Sequence, residues 1–354
     1  MYGGISRYFY ELVCELNETK SMECEIPLLI SNNHYISQKD IVRHLNFLPK
    51  KIFRGQHRIF NFINRVYSNS RLKKQNFDVF HPTYYDTYFL ENLNDKPFVL
   101  TVHDMIHEKF CEMFPLGDKT SAQKKILAGK ATKIIAISHS TKNDLINLLG
   151  IEESKIEVVY HGHSILPRKN INPRFDIPKK YLLFVGSRGG YKNFDRFIIS
   201  AADILTQEKN LYIFCAGGGQ FSNKEMCRFF ELGIEKQVLQ HNINDEDLAY
   251  LYKYALAFVY PSLYEGFGIP ILESFACNCP VICSDTSSLP EISKDAAKYF
   301  NPSDEESIRN AILQVLSNND IRQTLSTKGK KRLAKFSWEI TAEKTKKIYE
   351  SILK

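Results

Sequence analysis

The segment Tyr264-Glu265-Gly266-Phe267-Gly268-Ile269-Pro270-Ile271-Leu272-Glu273 holds the residue types in this chain best suited to chemistry. A buried-type apolar run ends just before it at Tyr260, a glycine-containing loop follows, and Pro270 fits the first turn of a helix. Free backbone N–H groups at such a loop and helix start can face an anion. The carboxylates of Glu265, on the loop, and Glu273, in the first helical turns, can accept hydrogen bonds from vicinal hydroxyls. The plainer reading of the same residues is a solvated turn followed by helix-start acids. A second segment, Val185-Gly186-Ser187-Arg188-Gly189-Gly190-Tyr191-Lys192-Asn193, places glycines after a strand, where backbone can approach a ligand. Arg188 and Lys192 add two positive charges, which suit a diphosphate. The order is not that of a P-loop, and without a ligand the segment would be a basic surface turn.

Two weaker signals lie near the start. Gly3-Gly4-Ile5-Ser6 opens an amphipathic pattern over residues 7–16, and its N–H groups could also take a phosphate. His103-Asp104 closes an apolar strand, so both polar groups fall at a strand's carboxyl end. Two patterns are discounted. Asp245-Glu246-Asp247 has the spacing of a metal-binding pair but reads better as acids opening a helix, where the dipole favours them. Gly217-Gly218-Gly219 lacks the full dinucleotide-binding order and reads as a tight strand-to-helix turn beside a nucleotide. No metal site is expected. Cys277, Cys279 and Cys283 have apolar neighbours and no histidine at ligand spacing, so reduced, buried thiols are expected.

The elements that must position these residues alternate along the chain. Strands are expected over residues 77–81, 98–103, 133–137, 156–160, 181–186, 211–216, 257–260 and 281–284, several of them apolar runs of the kind buried on both faces. Helical patterns lie between them, as at 140–149 and 193–206. Such alternation implies an α/β fold with parallel sheets and helices on both faces. The proline-bearing, basic stretch 166–180 reads as a linker, giving an N-terminal domain over 1–165 and a C-terminal one over 181–336. In doubly wound folds ligands bind beyond the carboxyl ends of the strands, where the unusual residues cluster. Two such halves would face each other across a cleft.

Composition narrows the classes. With 354 residues, 44% hydrophobic and 25% charged, the chain reads as a soluble globular protein of about two domains. Neither a bilayer-spanning apolar run nor a signal-peptide pattern is evident, so a cytoplasmic protein is expected.

The ordered motifs Gly-Gly-Ile-Ser-Arg-Tyr, Thr-Val-His-Asp, Val-Gly-Ser-Arg…Lys-Asn and Pro-Ser-Leu-Tyr-Glu-Gly-Phe-Gly-Ile-Pro…Glu resemble the retaining glycosyltransferases of family 4. Ser287-Ser288-Leu289-Pro290-Glu291 and Phe336-Ser337-Trp338-Glu339 resemble that family too. The resemblance implies the GT-B architecture, two Rossmann-like domains with a last helix, 337–354, crossing back to the first. It implies that Glu265 holds donor-sugar hydroxyls, Glu273 the ribose, and Arg188 and Lys192 the diphosphate. Gly266, Phe267 and Gly268 would form the loop reaching sugar and phosphate. His103 would lie near the reaction centre and Gly4 near the phosphates. Partners implied are a nucleoside-diphosphate sugar, either GDP-mannose or a UDP-sugar, and a saccharide or lipid-linked acceptor, with no nucleic acid, no cofactor and no metal. The pathway implied is that of a surface polysaccharide such as capsule or O-antigen. A non-catalytic sugar-nucleotide-binding or assembly protein, or a sugar-nucleotide epimerase, would share much of this pattern.

Two departures stand out. The family carries a first β-strand before the glycine pair, whereas only Met1 and Tyr2 precede Gly3. The first strand is therefore expected to be missing, from an upstream true start or a shortened variant. His161 stands where asparagine is commoner. A separate expectation concerns residues 41–77, which hold no Asp or Glu but many Lys and Arg among apolar residues. Ile59, Phe62, Ile63 and Val66 fall on one helical face, the pattern of a basic amphipathic helix lying on an anionic membrane.

Overall fold

The computed structural model describes residues 4–18, 22–31, 56–164 and 175–353. The chain forms two compact units, Met1–Gly162 with Ser337–Lys354, and His163–Phe336.

The second unit is built on six parallel strands: β4 (Tyr181–Val185), β5 (Tyr212–Ala216), β6 (Val238–His241), β7 (Ala257–Tyr260), β8 (Val281–Ser284) and β9 (Ala297–Phe300). Their order is β6-β5-β4-β7-β8-β9. Leu183 of β4 is in register with Phe214 of β5 on one side and Phe258 of β7 on the other. Strands β7 and β8 are buried at every position, as strands covered on both faces must be. The covering helices are α6 (Phe194–Gln207), α7 (Asn223–Glu231), α8 (Asp245–Tyr254), α9 (Ile269–Ala276), α10 (Leu289–Ser293), α11 (Glu305–Ser317) and α12 (Asn319–Leu333). Helix α6 buries Phe194, Phe197, Ile198, Ala201 and Leu205, an i, i+3, i+4 stripe, against β4 and β5 side chains. Helix α7 opens on a capping box, with Ser222 and Glu225 serving each other's backbone N–H.

The first unit holds a parallel sheet ordered β1-β2-β3, formed by β1 (Val99–Val102), β2 (Lys133–Ala136) and β3 (Ile156–Val158). Its helices are α1 (Gly4–Glu18), α2 (Gln56–Leu72), α3 (Ile106–Lys109), α4 (Thr120–Lys130), α5 (His139–Leu149) and the last helix, α13 (Trp338–Ile352). Helix α1 buries Tyr8, Phe9, Leu12 and Leu16 against Trp338 and Ala342 of α13. Gly162 allows α13 to approach this closely: a Cβ there would stand 2.3 Å from the Trp338 nitrogen.

The expected strand over 77–81 reduces to a single bridge, Phe80 to Phe98. Residues 165–174, within the expected linker, lie outside the described residues. The sequence signals passed over β6 and β9, edge strands reading Val-Leu-Gln-His and Ala-Lys-Tyr-Phe, because their polar residues break the apolar run.

Candidate functional site

Strand order reverses direction between β4 and β7: the chain moves outward through β5 and β6, then returns to β7 and continues through β8 and β9. A reversal of this kind opens a crevice at the carboxyl ends of the two central strands. The loops leaving β4 and β7 carry Lys192 and Glu265, and the structure brings them together, with Lys192 Nζ 2.6 Å from Glu265 Oε1. Both side chains are mostly buried. The Leu263 N–H donates to the Tyr191 carbonyl at 2.8 Å, tying one loop to the other. Two serines hold the carboxylate loop from behind. Ser287 Oγ accepts from the Glu265 N–H at 3.0 Å. Ser288 Oγ donates to the carbonyls of Glu265 and Phe267, both at 2.9 Å. Phe267 is buried with its ring edge-on to Phe336. Gly268 takes φ +103°, a left-handed conformation that leads straight into α9 with Pro270 in its first turn. Glu273, one turn further, is buried and accepts a hydrogen bond from Tyr252 Oη at 3.3 Å. Burial, and then the Glu273 charge, hold the Tyr252 hydroxyl well above its ordinary range, so it stays a donor.

Arg188 does not join Lys192. Its Nε donates to Glu225 Oε1 at 2.6 Å, and its two terminal nitrogens donate to the carbonyls of Gly217, Gly219 and Gln220. The guanidinium also lies 4.7 Å from the Phe221 ring centroid. Gly217, Gly218 and Gly219 all take positive φ, a conformation glycine accepts readily, and this arginine fastens their loop. A cavity of about 500 Å³ opens on that flank between α6 and α7, lined by Arg188, Gly218, Gln220, Glu225 and Arg228 among others, but by neither Lys192 nor Glu265. Sequence spacing gave no sign of the capture, because Glu225 stands 37 residues from Arg188.

In the first unit, His103 follows β1 and is buried. Its N–H donates to Tyr85 Oη at 2.9 Å, its ring stacks parallel to His161 at 5.9 Å, and Tyr8 meets it edge-on at 5.2 Å. Its Nε2 is buried with no hydrogen-bond partner. Burial first, then the neighbouring His161, His81 and Lys124, hold the imidazole well below its ordinary range. His81 bridges Tyr349 Oη, 2.6 Å, and Thr101 Oγ1, 2.8 Å, and burial lowers its pKa to about 3. His161, the residue standing where asparagine was expected, is likewise pushed down to about 3 by burial. His103 was legible as the residue closing an apolar strand, whereas Tyr85 and Lys124 beside it and Tyr349 beside His81 were not, since nothing in their spacing marks them.

Gly4 is the first residue of α1 and is exposed; Gly3 lies outside the described residues. Asp245 and Asp247 form the first turn of α8, whose N-cap Asn244 accepts from the Asp247 N–H at 2.8 Å. Among the described residues, no three His, Cys, Asp or Glu side chains are grouped to hold a metal ion. Helix α2 turns Ile59, Phe62 and Val66 outward, 48, 68 and 55% exposed, with Ile63 half-buried. Of its arginines, Arg65 pairs with Asp86 and Arg71 with Glu25. Residues 41–55 of the basic stretch lie outside the described residues.

Two family profiles match side by side and together take up nearly the whole chain. Glycosyltransferase Family 4 matches residues 2–165, and Glycosyl transferases group 1 matches residues 168–332. The O-antigen chain mannosyltransferase B of Escherichia coli is 29% identical over 77% of this chain and 74% of its own. The O-antigen chain mannosyltransferase RfbU of Salmonella typhimurium is 30% identical over 61% of this chain and 60% of its own. Among solved structures, Anabaena HepE in complex with UDP and glucose superposes with a TM-score of 0.74 at 14% identity, covering 99% of this chain and 96% of that one. Sucrose-phosphate synthase from Thermosynechococcus elongatus gives 0.73 at 19% identity, over 99% and 94%.

Proposed function

The chain belongs to the GT-B glycosyltransferases of the family 4 type, and on that premise we propose that it moves a hexose from a nucleoside-diphosphate sugar to a saccharide acceptor, with retention, in surface-polysaccharide biosynthesis. The observation that carries the reading is the Lys192–Glu265 pair at the point where the strand order reverses. An ammonium and a carboxylate held side by side match the two halves of such a donor. Lys192 would meet a phosphate oxygen, and Glu265 would accept from sugar hydroxyls. Glu273 would accept from the ribose, and the backbone of Gly266, Phe267 and Gly268 would lie against sugar and phosphate. Arg188, engaged by Glu225 and three carbonyls, would keep the glycine loop in shape rather than carry the diphosphate charge.

The chemistry then follows from where charge develops. The bond between the anomeric carbon and the leaving phosphate oxygen breaks, and its electron pair stays on the diphosphate. Lys192 and the N–H groups of the loop and helix start stabilise that growing charge. The acceptor oxygen attacks the same face of the sugar, and its proton passes to the departing phosphate oxygen. No protein nucleophile is needed, and the neutralising charge comes from Lys192 rather than from a metal ion. His103, held neutral, can donate or accept a hydrogen bond through Nε2.

The mannosyltransferases among the similar proteins favour a mannose donor such as GDP-mannose over a UDP-sugar. The acceptor would be lipid-linked, reached from the cytoplasmic face with the exposed face of α2 on anionic lipid. No described helix is long and apolar enough to cross a membrane. The test is a panel of GDP- and UDP-sugars offered with a glycolipid acceptor extract. Mass spectrometry should find a hexose-extended product from one donor, and NMR should find its anomeric configuration retained. Chelator should leave the rate unchanged. Donor binding without any product would instead favour a non-catalytic sugar-nucleotide-binding or assembly partner.

A further inference from the structure

We propose that Lys124, together with Glu108, is a positioning residue that fixes the turn carrying His103, an inference that rests on the sugar-transfer reading above. Lys124 lies on α4 with its side chain wholly buried. Its Nζ donates to the Asp104 backbone carbonyl at 2.9 Å and to Glu108 Oε2 at 2.8 Å. It also stands 3.9 Å from Asp104 Oδ1 and 4.9 Å from the centroid of the Tyr85 ring. The hydroxyl of that same tyrosine accepts from the His103 N–H. The turn leaving β1 is therefore gripped on both sides of His103, by Tyr85 at its amide and by Lys124 at the next carbonyl. Asp104 Oδ1 closes the turn locally by accepting from the Ile106 N–H at 3.1 Å.

Stability alone does not account for a lysine at this place. Removing an ammonium and a carboxylate from water costs several kcal/mol per ion, and apolar side chains of like volume commonly serve as well. The other buried positions of α4, Leu127 and Ala128, are apolar. What the charge adds is geometry and a field. The hydrogen bond to the Asp104 carbonyl fixes the turn, and the nearby positive charge opposes protonation of His103. The groups facing that imidazole are Tyr8, Phe9, His81, His161, Tyr85 and Lys124, and the basic ones all act to keep it neutral.

The test uses the full chain with labelled histidines. The His103 ring would be titrated by NMR, and nucleoside-diphosphate release followed with pH. Lys124→Met removes the charge, and Lys124→Met with Glu108→Gln avoids leaving a lone buried carboxylate if the single variant folds poorly. Lys124→Met should raise the His103 titration by a small increment, burial still holding it below the ordinary imidazole range, whereas the double variant, which removes a paired charge of each sign, should leave it nearly unchanged. Each should also lower kcat roughly 10-fold or more, the scale of a small misplacement, with donor KM little changed. Lys124→Arg, which keeps the charge, should leave the titration where it was and recover most of kcat. A folded Lys124→Met chain whose His103 titration and kcat match the unaltered chain, or a folded double variant with unaltered kcat, would overturn the inference. Failure of the unaltered chain to transfer any sugar would count against the proposed function alone, and the Lys124→Met titration would still decide the positioning role.

Discussion

Lys192 and Glu265 satisfy each other at 2.6 Å, so a donor seated between them must exchange one ion pair for two contacts, phosphate on ammonium and hydroxyl on carboxylate. The types and order of these residues stand out in the sequence because glycine-bearing loops after apolar strands leave backbone open to a ligand's approach. Partner choice was not legible. Arg188 sits four residues before Lys192 in sequence, yet its guanidinium is taken by Glu225 and by carbonyls of a loop that only the fold brings near. Gly162 offers a second test at this scale. A Cβ there would meet the Trp338 nitrogen at 2.3 Å and the indole Cγ at 2.7 Å, and neither is the end of a flexible side chain. Gly162→Ala should therefore lower stability by about 1–3 kcal/mol, as overpacking does. Urea unfolding would measure it, and an unchanged midpoint would mean that α13 does not pack as described.

Strands β1, β7 and β8 were readable as near-continuous apolar runs, since burial on both faces leaves no room for alternation. Helix α5 was nearly so, but its N-cap is Ser138, whose Oγ accepts from the Thr141 N–H, two residues before the expected start at Ser140. Helix α2 presents Ile59, Phe62 and Val66 at i, i+3 and i+7 on its outer face, so these side chains are available to a surface. Binding to anionic vesicles should be measurable by co-sedimentation and should weaken with salt, each unpaired basic residue contributing about 1 kcal/mol. Because Arg65 and Arg71 already pair with Asp86 and Glu25, the attraction should come from the other basic residues of the stretch together with insertion of the exposed apolar side chains. Phe62→Ser should then cut binding more than Arg65→Glu. Equal sedimentation with neutral and anionic vesicles, or none at low salt, would contradict the membrane reading.

At the scale of the molecule, the first unit carries a pH liability. His81 and His161 have pKa values pushed down to about 3 by burial, and His103 is held well below its ordinary range. The unfolded chain takes up protons near pH 6.5 that the folded chain refuses, so their stabilisation is complete above that pH and is lost as pH falls toward 3. Each such histidine costs about 1.4 kcal/mol per pH unit in that window. Thermal unfolding should move to lower temperature from neutral toward acid pH, and His161→Asn should make that slope shallower. A slope unchanged by the substitution would mean that His161 titrates normally. The parallel sheets were legible from strand–helix alternation, whereas no local pattern announces where a last helix docks, as α13 does on α1. Sugar transfer at the Lys192–Glu265 pair is tested most directly by release of nucleoside diphosphate by the unaltered chain, Lys192→Ala and Glu265→Ala with the same donor and acceptor. The expected result is turnover by the first and a loss of roughly 10²-fold or more in each folded variant, the scale of one lost transition-state contact. Near-native turnover in both variants would contradict it.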